Sequence, residues 1–304
     1  IYDKKVTLLH SYIPKAEGMG AEFRTGCYAQ KVKPKGTGYE VTYLDAGGRS
    51  VTVEGKTLLL AGNGVETPAL LMRSATDLPN LSTQVGKNYN NNGDIAFVWL
   101  LPDGWPEFHL YMGRDNAGMM SYAFWKEHKI TFHPGGPPPA FIAGLDLHRK
   151  DKLAWGLEHK RMMRTYYDGR MVVALAIGLM DGLGTVSIDA TGHPTVDFPN
   201  NAYLKSYISR VEGVAQKIAT ANGAELIRTS PDGYEHGDAH CMAAARMATD
   251  KAHGVCDKNG EVFGYPRMFI SDSAGIPGGT GVNPALTVGA NAERIAAHII
   301  KNVS

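Results

Sequence analysis

Apolar and polar positions alternate with a period of two through the first sixty residues, and helical spacing takes over in separate blocks further on. Residues 22–32, 39–44 and 51–60 are rich in β-branched and aromatic side chains, and Gly47-Gly48 separates the last two runs. This pattern predicts a β-meander feeding a short buried strand, Leu58-Leu59-Leu60, that stops at Ala61-Gly62. Thr67-Pro68-Ala69-Leu70-Leu71-Met72 then reads as a helix with proline in its first turn. Residues 171–180 form an apolar strand, and 185–189 with 195–198 form a hairpin through Thr191-Gly192. Between 201 and 221 the residues Leu204, Ile208, Val211, Val214, Ala215 and Ile218 recur at helical spacing, and Gly223 ends the helix. The last segment predicts a strand over 268–271, a glycine-rich turn, and a helix from Asn283 to about Asn302.

This order predicts a mixed fold, α+β or α/β, in which one domain is interrupted by another. Residues 1–93 and 230–304 are expected to be two parts of one domain, with 94–229 inserted as a β-sheet domain. Within the insert, Trp105, Phe108, Tyr111, Tyr122, Phe124 and Trp125 either line a lipophilic cavity or form ordinary core. Net charge is +1 with acids and bases interspersed, which points to neither a nucleic-acid groove nor a polybasic anchor. The three cysteines, Cys27, Cys241 and Cys256, are too scattered for a disulfide framework or a structural zinc site. No apolar run is long enough to predict a membrane span.

Three segments carry candidate chemistry. Gly62-Asn63-Gly64-Val65-Glu66-Thr67 imitates the start of a dinucleotide-binding turn, but it lacks the third glycine and the acidic residue that would follow. A plain strand-to-helix turn is an equal reading. The segment from Met268 through Ser271-Asp272-Ser273 to Gly278-Gly279-Thr280-Gly281-Val282-Asn283-Pro284-Ala285 leads a glycine-dense loop into a helix start. Asn283 suits the cap and Pro284 the first helical position, and the exposed N–H groups favour a facing negative charge by roughly 0.3 to 2 kcal/mol. The third is His240-Cys241-Met242-Ala243-Ala244-Ala245-Arg246-Met247. His236, His240 and Cys241 include enough ligand types to raise a metal site, but Gly237-Asp238 disfavours the helix that would align them, so no metal is predicted.

Taken together these segments resemble the C-terminal portion of the glucose-methanol-choline (GMC) flavin oxidoreductases, with a spacing from His240 to Asn283 similar to that of the cholesterol oxidases. Leu60 to Leu71 resembles the family's A-G-x-x-x-T-P-x-L-L unit, and residues 185–189 resemble its substrate-domain hairpin. The family usually has glycines where this chain has Ala243 and Ala244. The resemblance implies FAD as cofactor and oxidation of an alcohol, either a sterol or another bulky secondary alcohol, to a carbonyl. It implies His240 as catalytic base with Asn283 as its partner, and Asp168 as a weaker candidate near a carboxylate position of cholesterol oxidases. It implies cofactor contacts from Ala29, Ala61, Gly62, Asp272, Ser273, Asn283, Pro284 and Ala285. The family's N-terminal flavin-binding unit has no counterpart in the sequence, which opens Ile1-Tyr2-Asp3. That half is therefore expected as a partner, a separate or cleaved chain, alongside a small lipophilic alcohol substrate. Two alternatives are a lyase of the hydroxynitrile type on the same fold and a non-catalytic assembly subunit.

Overall fold

The structure, a computed structural model, describes residues 6–112, 119–149, 152–181, 184–229 and 239–303. After a short helix, α1 (Tyr12–Gly18), the meander forms from β1 (Tyr28–Lys35), β2 (Gly38–Leu44) and β3 (Ser50–Gly55), antiparallel throughout. Asp45 fixes the β2–β3 turn at the predicted glycine pair, its Oδ1 accepting from the N–H groups of Gly47 at 2.8 Å and Arg49 at 3.0 Å. The first strand starts later than the alternation suggests, because its pairing with β2 begins at Tyr28 opposite Leu44. The run predicted over 51–60 divides. β3 stays in the meander, while β4 (Leu58–Leu60) leaves it to join a different pair.

The next helix, α2 (Asn63–Arg73), begins four residues before the predicted start. Asn63 adopts a left-handed φ of 73° and its side-chain oxygen accepts from the N–H groups of Val65 and Glu66. That local cap outcompetes the proline signal, and Pro68 ends up inside the helix. The chain then lays down β5 (Lys87–Tyr89), β6 (Ile95–Leu100), α3 (Trp125–His128), β7 (Ile130–Gly135) and α4 (Pro139–Ala143). A small ribbon of β8 (His148–Arg149) and β9 (Lys152–Leu153) leads to α5 (Leu157–Tyr167), followed by β10 (Met171–Gly178).

The predicted hairpin is β11 (Gly184–Ile188) with β12 (Pro194–Asp197), and β11 also pairs with β5. The predicted long helix is α6 (Ala202–Ala221), capped by Asn201, whose side chain accepts from the N–H of Leu204. Last come β13 (Glu225–Ile227), β14 (Met268–Ile270) and α7 (Ala285–Asn302).

A four-stranded antiparallel sheet, in the order β13-β6-β10-β7, divides its side chains by the period of the strand. Ile95, Phe97 and Trp99 point to one face, where Leu204, Tyr207, Val211, Val214 and Ala215 of α6 cover them. Val98 points to the other, against Ile142 of α4 and Met162 and Tyr166 of α5. Each large side chain so covered contributes about 1.5–3 kcal/mol. A separate core joins residues far apart in sequence: Leu60, Leu71 and Leu78 pack with Ala245, Cys256, Met268, Ile270 and Ala274. At its centre β4 and β14 run parallel, Leu58 opposite Met268 and Leu60 opposite Ile270. Among the described residues, no helix is long and apolar enough to cross a membrane.

Candidate active site

Backbone hydrogen bonds on both sides hold the segment that carries His240. Met242 and Asn90 exchange N–H···O=C bonds at 2.9 and 3.1 Å, which sets His240 beside the stretch that starts β6. Opposite, the N–H groups of Ala243, Ala245 and Met247 donate to the carbonyls of Ser273, Ala274 and Gly275. Ala243 sits at a left-handed φ of 70° within this ladder. The start of α2 lies so close that a Cβ on Gly64 would meet the Cys241 carbonyl at 2.4 Å.

Just before β6 runs a polar stretch, Asn90-Asn91-Asn92-Gly93-Asp94, whose asparagines and aspartate are buried. Buried polar groups require partners. Asn92 finds its partners in the glycine-rich loop, its Oδ1 accepting from the N–H groups of Thr280 at 2.8 Å and Gly281 at 2.9 Å, and its Nδ2 donating to the Val282 carbonyl at 2.7 Å. The loop is thereby fixed one residue before Asn283. Asp94 faces His240, whose Nδ1 lies 2.8 Å from Oδ1 and 2.6 Å from Oδ2. On the other side of the ring, His240 Nε2 is 3.3 Å from Asn283 Nδ2. A carboxylate can only accept, so Nδ1 carries the proton and Nε2 presents its lone pair, toward which the Asn283 amide donates.

This arrangement differs from the sequence expectation at the start of α7, for both Asn283 and Pro284. Asn283 does not cap α7: the helix starts at Ala285 with Pro284 at the cap position and no side-chain cap. Its amide faces His240 instead, and the first turn of α7 keeps unpartnered N–H groups, as helix starts do without a cap. His240 is nearly buried, its side chain 12% exposed.

The cleft at Asn283, about 440 Å³, is lined by Met119, Met120, Tyr122, His133, Pro134 and Gly135. A larger, mainly apolar cavity of about 810 Å³ shares Met119, Met120, His133 and Pro134 with it and adds Trp99, Trp105, Phe124 and Phe132. Of the aromatic residues singled out in the sequence, Trp105, Tyr122 and Phe124 line these spaces. Tyr111 instead stacks on Tyr167 with ring centroids 5.5 Å apart, and the Trp125 ring lies where a Cβ on Gly281 would be. Burial pushes the pKa of His133 down; the Pro134 carbonyl opposes this, the charge of a protonated His240 adds to it, and Asp94 opposes it.

The cofactor candidates fall in two places. Ala29, Ala61 and Gly62 line a separate cavity of about 410 Å³ between the meander and α2. Asp272, at the end of β14, is buried, with Oδ2 accepting from the Asn63 N–H and the Thr67 hydroxyl and Oδ1 from the Ala274 N–H. Burial raises its pKa, and these hydrogen bonds partly offset the rise. Ser273 begins the 3₁₀ turn beyond it. Asp168 is elsewhere: it ends α5, bonds Arg164 at 2.8 Å and lines a polar cleft with Asp103, Arg149 and Arg170. His236 lies outside the described residues. Asp94, Asn92 and His133 were not singled out from the sequence. The only signal for the first two is an unusual polar run directly before an apolar strand.

Residues 2–92 and 184–292 match the N- and C-terminal models of the GMC oxidoreductase family. The chain is 22% identical to 2-methyl-1,2-propanediol dehydrogenase of Mycolicibacterium austroafricanum, over 98% of this chain and 58% of that protein. It is 27% identical to paromamine 6'-oxidase of Streptomyces fradiae, over 93% and 53%. A cholesterol oxidase of Mycobacterium tuberculosis is 43% identical, but over 58 residues, 19% of this chain and 10% of the relative. Among solved structures, pyridoxine 4-oxidase from Mesorbium loti superposes with a TM-score of 0.62 at 16% identity, covering 91% of this chain and 58% of that one. The chain thus spans between about half and three-fifths of the length of these longer matches.

Proposed function

The chain belongs to the GMC oxidoreductase family, and on that premise we propose that it supplies the proton-transfer site and substrate cavity of an FAD-dependent alcohol oxidoreductase. The observation that carries this reading is the pair of contacts on His240, with Asp94 on Nδ1 and Asn283 on Nε2. Asp94 holds the tautomer that leaves Nε2 free to act as base, and its carboxylate stabilises the imidazolium formed when a proton arrives. A substrate hydroxyl entering between His240 and Asn283 donates to Nε2 while its oxygen accepts from the Asn283 amide. The alcohol is thereby oriented and its proton removed to a group that is already positioned.

The residues present fit FAD. The uncapped start of α7, where Asn283 and Pro284 lead into Ala285, would hold the flavin by offering free backbone N–H groups to negative charge on it. Asp272 and Ser273 lie at the end of β14, and Ala29, Ala61 and Gly62 line a cavity beside β4. Bound there, the flavin would accept the hydride that leaves the carbinol carbon. In this reading 94–229 is the substrate-binding domain, and 1–93 with 230–304 belong to the flavin-binding domain. The dinucleotide-binding unit comes from polypeptide outside these 304 residues and packs beside β4 and β14, a parallel pair of a kind normally buried in a larger sheet. The large apolar cavity fits a bulky, lipophilic secondary alcohol, sterol-like or smaller.

Mixing the complete, yellow enzyme anaerobically with such alcohols tests the proposal. The flavin band near ~450 nm is expected to bleach, and His240→Ala is expected to slow bleaching by about 10²–10⁴-fold. A flavin that no alcohol bleaches, in a folded and fully loaded enzyme, would overturn it.

A further inference from the structure

The Asp94 carboxylate can hold His240 in place only if the backbone that carries it is itself fixed, and the fixing group comes from a distant element. The peptide between Gly93 and Asp94 leads into β6. Its N–H donates to the Asn91 carbonyl at a long 3.4 Å, whereas its carbonyl, that of Gly93, accepts from the Tyr207 hydroxyl at 2.7 Å. Tyr207 stands on α6, 114 positions further along the chain, and is 3% exposed. Its hydroxyl is wedged between Gly93 and Gly178, the last residue of β10, and a Cβ on either glycine would collide with the hydroxyl oxygen. The phenol stays a donor, because burial pushes its pKa up and the Asp94 carboxylate adds to the rise, with Arg210 opposing it. Without that donor the Gly93 carbonyl would be a buried acceptor lacking a partner, and its peptide plane would be free to rock. Such rocking would swing the Asp94 side chain, whose oxygens now meet Nδ1 of His240 at 2.6 and 2.8 Å.

We propose that Tyr207 is a positioning residue, which fixes the peptide before Asp94 and so keeps the carboxylate on His240, making α6 part of the proton-transfer site. This rests on the reading of His240 as the base of an alcohol oxidation. Tyr207 lines neither the apolar cavity nor the cleft at Asn283, so its route to the chemistry runs through Asp94 and not through the substrate.

The test uses the flavin-loaded complete enzyme. Tyr207→Phe removes the donor and keeps the ring, and para-aminophenylalanine at the same position returns a neutral donor. Tyr166→Phe is the comparison, since it removes a like bond, from the Tyr166 hydroxyl to the Pro137 carbonyl at 2.5 Å, on the other face of the sheet. Tyr207→Phe is expected to lower kcat for an alcohol by roughly tenfold or more with KM little changed, and the aminated ring to restore most of it. Tyr166→Phe is expected to lose stability with kcat retained. In an Asp94→Asn background, Tyr207→Phe should change kcat by no more than about twofold, because the group through which it acts is already gone. Proton NMR of the His240 Nδ1–H, assigned by its loss in His240→Ala, reads the contact without turnover. The downfield resonance of a carboxylate-held imidazole proton is expected to move upfield in Tyr207→Phe and to stay in Tyr166→Phe. Equal kcat and an unmoved resonance in Tyr207→Phe would overturn the inference and leave the hydroxyl a role in stability alone. An aminated variant that recovers stability but not kcat would count against it equally. A moved resonance in an enzyme whose flavin no alcohol bleaches keeps the positioning role and removes the oxidation reading; bleaching with an unmoved resonance does the reverse.

Discussion

Asp94 has 0% exposure, and both of its carboxylate oxygens lie within hydrogen-bonding distance of one imidazole nitrogen. Replacing it with asparagine puts a neutral amide against Nδ1, which removes the negative charge and allows the ring to turn to the other tautomer. Asp94→Asn is expected to lower kcat/KM for an alcohol by about 10²–10⁴-fold with the visible spectrum of the bound flavin preserved, as stopped-flow reduction would show. This pairing was not legible from the sequence, because Asp94 and His240 are 146 positions apart and neither segment has a spacing that refers to the other. His240 and Asn283 were legible because each sits in a local motif; even so, Asn283 was expected as a helix cap, since its side-chain direction depends on His240. Asp272 yields a prediction about pH. Its folded-state pKa is raised by burial, so the folded protein holds that proton more tightly than the unfolded chain does. Stability from this group is therefore greatest at low pH and is lost as pH rises from the unfolded aspartate value through the raised one. Asp272→Asn does not titrate, so the wild type should gain stability relative to the variant as pH falls through that window. Denaturant melts across the acid range would show it, and a pH-independent difference would contradict the assignment.

At the scale of elements, regular periodicity was readable and competition between local signals was not. The meander, the β11–β12 hairpin and α6 follow directly from spacing, and the buried face of α6 is close to the apolar stripe on which the helix was predicted. The start of α2 was misplaced because a proline suggests a first turn, whereas Asn63 in a left-handed conformation supplies a cap four residues earlier. That early start brings Gly64 against the backbone of the histidine segment, where a Cβ would lie 2.4 Å from Cys241 and 2.7 Å from the Met242 nitrogen. Neither element can yield by a side-chain rotation alone. Gly64→Ala is thus expected to destabilise the protein by about 1–3 kcal/mol in denaturant unfolding and to shift His240. Ala243 offers a contrast within the same ladder. Its left-handed φ of 70° is strained for alanine, by about 1–2 kcal/mol. Glycine relieves that strain but gives up a buried methyl worth about 0.8 kcal/mol and gains unfolded-state freedom worth about 0.4–1 kcal/mol. The terms nearly cancel, so Ala243→Gly should leave stability within about 1 kcal/mol of the wild type, and a large change of either sign would show the backbone path to be otherwise constrained.

Across the whole molecule, the site is assembled from three stretches that the chain visits at widely separated times: 90–94, 240–247 and 272–285. Strand partners decide this assembly. That β6 lies between β13 and β10, or that β4 pairs with β14 more than two hundred residues away, is set by which faces can be covered together, a property no single segment displays. Asn92 fastens two of the three stretches, its amide serving two N–H groups and one carbonyl of the 280–282 loop. It also holds a left-handed φ of 63° that asparagine tolerates better than most residues. Two replacements separate these roles. Asn92→Gly keeps the backbone relaxed and removes the clasp, while Asn92→Ala removes the clasp and adds strain. Both leave loop N–H groups without their acceptor, at about 1–3 kcal/mol for each that stays buried, and the alanine variant should be less stable than the glycine one by about 1 kcal/mol. If the clasp positions the site, both variants also speed amide hydrogen exchange at Gly281 and lower kcat/KM by similar factors, since each releases the loop that carries Asn283. Slow exchange retained at Gly281 in both would mean that the loop is held by its packing against Trp125 instead, and the pairing of His240 with Asn283 would then survive without the asparagine.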